Sequence, residues 1–168
     1  MSHVEHKEAS GGIQARCAVI TLSDTRNEAT DTSGAKIKSL LGAEHHLVNY
    51  YSIIPDEPRE LGVMLEELIS SNDIDVILTN GGTGISRRDH TIPVIEKHLT
   101  TVLSGFGELF RMLSYQQIGS SAMMSRAVAG IAKDKLVFAM PGSTAGVELA
   151  MTKLILPELR HLLGQMRK

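Results

Sequence analysis

Three glycines fall within four residues in Gly81-Gly82-Thr83-Gly84, and a polar run, Ser86-Arg87-Arg88-Asp89-His90-Thr91, follows closely. Glycine lets a backbone approach a ligand and can turn successive N–H groups toward an anion. Thr83 and Ser86 add hydroxyl donors, and Arg87 and Arg88 add cations suited to phosphate. Asp89 can hold a hard cation such as Mg²⁺ through oxygen. Together these residues suit a polyphosphate with a metal. A tight surface turn, with Asp89 or Thr91 capping the next helix, would also account for them. The segment is not a Walker A loop, because no Gly-Lys-Ser/Thr follows the glycines. Nor is it a dinucleotide fingerprint, because a polar run separates the glycines from the next helix.

Other residues could join this chemistry. Asp56 in Ile54-Pro55-Asp56-Glu57-Pro58 either faces the same cleft or caps a helix starting near Arg59. Asp24 and Asp31 flank a polar stretch, and Asp31-Thr32-Ser33 has the composition of an ordinary helix cap. Pro141-Gly142-Ser143-Thr144 is either an anion-binding helix start or a routine strand-to-helix joint. The seven histidines include no His-Glu-x-x-His spacing and are expected to be solvated or structural. Cys17 and the eight methionines are assigned to packing.

These segments need elements to position them. Apolar, β-branched runs at Arg16–Leu22, His46–Ile54 and Asp75–Thr79 predict buried strands. Leu61, Met64, Leu65, Leu68 and Ile69 fall on one face of a helix over Arg59–Ser70. Helices are also expected over Ser33–Leu41 and Thr91–Leu99, and within Gly105–Met124 through Phe106, Leu109, Phe110 and Leu113. Arg126–Ile131 and Lys135–Met140 read as a hairpin or a strand pair around Lys133-Asp134. A final helix over Thr144–Gln165 should bury Val147, Met151, Leu154, Ile155, Leu162 and Met166, with a disturbance at Pro157. Strands alternating with helices predict a three-layer α/β/α domain with a mainly parallel sheet. In such sheets ligands sit beyond the carboxyl ends of the strands. Residues 21–25, 55–57, 80–91 and 140–143 each follow a predicted strand.

The 168 residues, 42% hydrophobic and 21% charged, suit one domain over 16–168, with 1–15 as a flexible tail. A net charge of -2 and six aromatic residues argue against a nucleic-acid partner. No stretch of eighteen apolar residues is present, so no membrane association is expected. A single cysteine fits a reducing compartment, and a cytoplasmic location is expected.

The set Thr21-Leu22-Ser23-Asp24, Asp31-Thr32-Ser33-Gly34, Pro55-Asp56-Glu57, Gly81-Gly82-Thr83-Gly84 with Arg88-Asp89-x-Thr91, Met124-Ser125-Arg126 and Met140-Pro141-Gly142-Ser143 resembles the MoaB/Mog family of molybdenum cofactor biosynthesis. The N-terminal domain of gephyrin is similar. The resemblance runs from Arg16 to the C-terminal helix. It implies a molybdopterin-binding fold and transfer of AMP from ATP to the molybdopterin phosphate, with release of pyrophosphate. It further implies that Asp56 and Asp89 are the essential acidic pair, holding Mg²⁺, and that Gly81–Gly84 contact the nucleotide. Ser23, Asp24, Arg88, Thr91, Ser125, Arg126, Pro141, Gly142 and Ser143 are the accompanying nucleotide- or molybdopterin-binding residues. Arg87, Arg88 and Arg126 would screen repulsion between two polyanions. A homotrimer or hexamer is implied as well. The Pro-Gly-Ser143-Thr144 corner departs from the Pro-Gly-Asn-Pro typical of the established adenylyltransferases. The alternative is therefore a non-catalytic molybdopterin-binding or assembly protein of the same pathway.

Overall fold

A computed structural model describes Ser2, Glu5 and residues 10–168. The elements run β1 (Arg16–Leu22), α1 (Thr32–Ala43), β2 (Leu47–Ile54), α2 (Pro58–Ser70), β3 (Val76–Asn80), α3 (Thr91–His98), β4 (Thr101–Val102) and α4 (Ser104–Ile118). A 3-10 segment (Gly119–Met124), β5 (Val128–Ala132), β6 (Lys135–Met140) and α5 (Thr144–Ala150) follow, and a π turn (Met151–Ile155) joins α5 to α6 (Leu156–Met166).

The strands form one six-stranded sheet in the order β2-β1-β3-β6-β5-β4. The first four run parallel, and β5 and β4 are antiparallel additions at one edge. The apolar runs supply both sheet faces, as buried parallel strands require. In β1, Cys17 and Val19 face a core shared with α1, α4, α5 and α6, whereas Ala18, Ile20 and Leu22 face a core shared with α2 and α3. The expected three-layer, mainly parallel domain is therefore the observed one.

Sheet order reverses at β1. One crossover leads outward to β2, and the next returns past β1 to β3. The carboxyl ends of β1 and β3 consequently border a crevice where the chain departs to opposite faces, the place where open α/β sheets bind ligands.

Four local expectations change. The helix expected within Gly105–Met124 is α-helical only to Ile118; Gly119, with φ 64°, ends it and a 3-10 segment takes over. Leu109, expected on the packed side, is exposed. The C-terminal helix buries Leu159 and Leu163 rather than Leu162 and Met166, which are only half-buried. Its π turn widens one turn ahead of Pro157 and shifts the apolar stripe. Edge strand β4, two residues long, was not expected, and two residues are too few to show alternation.

Of the tail expected over 1–15, Met1, His3, Val4, His6, Lys7, Glu8 and Ala9 lie outside the described residues. Ser10–Ala15 pack on the domain. Ser10 lies against Gly164, and Ile13 joins the core and accepts from Arg160 Nε at 3.1 Å. Ala15 N–H donates to His46 Nδ1 at 3.0 Å. Cys17 is fully buried, with its thiol pushed up to about 12 by burial, as a packing residue should be.

Candidate functional site

The glycine loop begins where β3 ends. Gly81 has φ 97° and its Cα faces the Leu22 carbonyl so closely that any Cβ would overlap it. Gly82 has φ 65°; a Cβ there would overlap Thr91 Oγ1 and lie 2.7 Å from Asp56 Oδ1. Only glycine meets both demands at either position. A Cβ on Gly84 would lie 2.7 Å from Asp89 Oδ2. The two carboxylates, distant in sequence, thus border the same four-residue loop.

Neither aspartate caps a helix. Glu57 occupies the N-cap of α2 without a side-chain bond, and His90 occupies that of α3 in the same way. Asp56 Oδ1 is instead buried with no hydrogen-bond partner among the described residues. Desolvation, then the charges of Asp89 and Asp24, raise the Asp56 carboxyl above its usual range, and Arg88 and His90 oppose the rise. Asp89 Oδ2 accepts from Ser86 N–H at 2.9 Å, which closes the charged turn.

Thr91 does not cap α3 through its hydroxyl either. Its Oγ1 donates to Gly81 O at 2.9 Å and its N–H to Gly82 O at 3.1 Å. Arg126 donates from Nε to Thr83 O at 3.0 Å, and from Nη2 to Gly84 O and, at 3.4 Å, to Asp89 O. Arg126, expected to screen phosphate charge, is thus engaged with backbone carbonyls. The N–H groups of Gly82, Thr83, Gly84 and Ile85 meet no acceptor among the described residues.

Asp24 joins the neighbouring segments. Its Oδ1 accepts from Asp56 N–H at 3.0 Å and its Oδ2 from Arg88 Nη2 at 2.7 Å. Arg88 also approaches Glu57 at 3.5 Å and remains 61% exposed along its side chain. Ser23 Oγ accepts from the N–H groups of Thr25 and Arg26 and so shapes the turn after β1. Gly142 brings the last corner in, since a Cβ on it would lie 3.1 Å from Gly81 Cα. Ser143 Oγ accepts from Gly146 N–H at 3.1 Å, the routine capping role. Pro141 lies beside it in the same corner, and Ser125 is placed only by adjacency to Arg126. Arg87 is exposed at the rim.

Sequence reasoning missed the support behind this site. Asp31 caps α1 through Gly34 N–H at 2.9 Å, as expected, but it also accepts from Thr21 Oγ1 and Tyr51 OH, each at 2.7 Å. Burial alone would raise its carboxyl. These three bonds and the Arg26 charge 3.6 Å away hold it below the ordinary range. Arg26 in turn donates to Gly142 O at 3.1 Å, and Ser33 Oγ donates to the same oxygen at 2.7 Å. The signal was present only as a charge after Ser23-Asp24 and a Ser beside the cap, and neither names a partner more than one hundred residues away.

No group of three metal-ligating side chains exists among the described residues. Asp56 and Asp89 are the two oxygen donors at the loop, and a hard cation that completes its shell with water and phosphate needs no more.

Residues 18–161 match the sequence family described as "Probable molybdopterin binding domain". Over 169 aligned residues the chain is 47% identical to molybdenum cofactor biosynthesis protein B of Bacillus cereus, covering 100% of this chain and 99% of that one. The chain belongs to the MoaB/Mog family. Solved structures of the family agree. A crystal structure of a molybdenum cofactor biosynthesis protein B superposes with TM-score 0.90 at 47% identity, covering 92% of this chain and 97% of that one. The tungsten cofactor synthesizing protein MoaB of Pyrococcus furiosus superposes with TM-score 0.83 at 38% identity, covering 92% and 98%. Among the described residues no helix is long and apolar enough to cross a membrane.

Proposed function

We propose that this protein acts in molybdenum cofactor biosynthesis by transferring AMP from ATP to the terminal phosphate of molybdopterin. An oxygen of the molybdopterin phosphate attacks the α-phosphorus of ATP. The bond from that phosphorus to the β-phosphate oxygen breaks, and pyrophosphate leaves with the electron pair. The nucleophile is already anionic, so no strong base is required, and catalysis rests on positioning and charge.

The observation that carries this reading is the meeting of Asp56 and Asp89 at a loop with four consecutive N–H groups that meet no acceptor among the described residues. Those amides suit phosphate oxygens. The carboxylates would repel phosphate unless a cation lay between. Oδ1 of Asp56, buried and without a partner among the described residues, calls for such a partner. Asp56 and Asp89 would hold Mg²⁺, which when bound supplies positive charge against phosphate oxygens. Arg88, turned toward Asp24 and exposed, stands at the entrance with Arg87.

The test is to incubate the protein with Mg-ATP and molybdopterin and to measure pyrophosphate and adenylylated molybdopterin. Equal amounts of both are expected. Asp56→Ala and Asp89→Ala should each keep the fold and lose the reaction; wild-type turnover in both variants would overturn their assignment. A second reading, molybdopterin binding without transfer, draws on the Ser143 corner, whose hydroxyl caps α5 and offers no side-chain amide to a phosphate. Binding of molybdopterin with ATP left intact would establish it. The trimer or hexamer that accompanies the proposal draws on Met112, Tyr115 and Ile118 of α4 with Met123 and Met124, all apolar and exposed; sedimentation equilibrium reads the assembly directly.

A further inference from the structure

We infer that Arg126 is a positioning residue that, together with Thr91, aims the amides of the glycine loop by gripping its carbonyls from behind. The inference rests on the proposed reaction for its kinetic consequences but not for its geometry.

A trans peptide holds its C=O and the following N–H on opposite sides of one plane. Fixing a carbonyl therefore fixes the direction of the next amide. Four consecutive carbonyls are fixed here. Thr91 takes Gly81 O through Oγ1 and Gly82 O through N–H, and Arg126 takes Thr83 O through Nε and Gly84 O through Nη2. The paired amides are those of Gly82, Thr83, Gly84 and Ile85, the same four that meet no acceptor among the described residues. Each is directed away from Thr91 or Arg126. The third Arg126 contact, to Asp89 O, ties the backbone of the second carboxylate to the same guanidinium.

The residue type matters. A guanidinium is a planar fork of five donors and can bridge adjacent carbonyls, whereas an ammonium is a point charge on a flexible stem. Arg126 has no carboxylate within ion-pair distance among the described residues, so its charge is not cancelled locally and adds to the field behind the amides. Its backbone is also anchored. Ser125 N–H closes the 3-10 segment on Ala122 O at 3.0 Å, and β5 begins two residues after Arg126. A glycine-rich loop gains from such an external grip, since its own backbone resists few alternatives.

The experiment pairs Arg126→Lys with Arg160→Lys and reads amide hydrogen exchange, Mg-ATP affinity and AMP transfer. In Arg126→Lys, exchange of the hydrogen-bonded amides of the gripped segment, those of Ser86 and Asp89, should rise at least tenfold without ligand. The maximal rate of transfer should fall about tenfold to a hundredfold, with Mg-ATP affinity changing less than threefold. Arg160→Lys, whose guanidinium holds the carbonyls of Ile13 and Glu44 rather than those of the glycine loop, should match the wild type in all three readouts. Guanidinium ion added to Arg126→Ala should restore part of the rate, as expected of a group that holds the loop. Unchanged exchange in Arg126→Lys would overturn the inference even if the protein transfers no AMP. A loss of affinity as large as the loss of rate, with unchanged exchange, would make Arg126 a direct ligand instead. If wild type shows no transfer while exchange responds as stated, the proposed reaction fails and the positioning role stands.

Discussion

Asp24 holds Asp56 by its backbone: Oδ1 of Asp24 accepts the Asp56 N–H at 3.0 Å, so the loop after β1 fixes the loop after β2. The other oxygen of Asp24 accepts from Arg88 at 2.7 Å, in the charged turn after β3. One carboxylate therefore connects all three segments. Asp24→Ala is expected to lower AMP transfer about tenfold through misplacement of Asp56. Asp24→Asn keeps an acceptor for the amide and should lose less. Because Asp24 is well exposed, neither change should alter urea unfolding by more than about 0.5 kcal/mol. Equal rates for wild type and Asp24→Ala would remove Asp24 from the site.

The raised Asp56 carboxyl has consequences for both stability and rate. The folded state binds this proton more tightly than the unfolded chain, so the Asp56 charge opposes folding above the unfolded pKa of about 3.9. Asp56→Asn should therefore be more stable than wild type at pH 7 while losing transfer. Carbon NMR titration should place the Asp56 midpoint above that of an ordinary Asp, and Asp89→Asn should bring it down by removing a like charge. A midpoint unmoved by Asp89→Asn would mean that the two carboxylates do not sense each other.

Two glycines give opposite outcomes for the same substitution. Gly82→Ala puts a side chain at φ 65° into Thr91 Oγ1 and beside Asp56 Oδ1, and should cost a hundredfold or more in transfer, by about the loss of one preorganised donor. Gly62 lies within α2 with open space around the position of a Cβ. Gly62→Ala should stabilise the protein by about 0.5–1 kcal/mol with no change in rate. Thermal unfolding and the pyrophosphate assay separate the two cases.

His46 supplies a pH response remote from the site. Its Nδ1 accepts from Ala15 N–H, an arrangement that needs the neutral ring with its proton on Nε2. Burial, then the charges of Arg160 and His45, lower its pKa, against the opposing charge of Glu44. A His with a lowered folded pKa contributes stability above its unfolded pKa, about 6.5, and loses it as pH falls from that value through the lowered folded one. Urea unfolding should show declining stability from pH 7.5 to 5.5, and His46→Gln, which can still accept from Ala15, should flatten that decline. An equal slope in the variant would assign the effect to other groups.

Much of the fold was legible because its signals are local. Arg16–Leu22 was bounded correctly as a strand because β-branched residues end at a polar turn, and α2 followed from the spacing of Leu61, Leu65 and Leu68. The sheet rule then placed Asp24, Asp56, Asp89 and Gly142 at one end, where the structure has them. What was not legible depends on partners. Asp56 had equal claims as a cap until the structure gave that position to Glu57. A cationic Arg126 in a phosphate-binding context reads as a phosphate ligand, and only coordinates reveal that its donors face carbonyls. The packing of Ser10–Ala15 rests on contacts with Arg160 and His46, which no pattern within a short polar segment announces.

The reversed direction of β5 has a last consequence. Val128, at its start, pairs with Ala139 near the end of β6, so residues that precede β5 emerge on the same rim as residues that follow the parallel strands. Had β5 run with its neighbours, Arg126 would sit at the opposite pole of the sheet, a strand's length from Gly84. One U-turn at Lys133-Asp134 thus lets a single hairpin reach the ligand side with both of its ends.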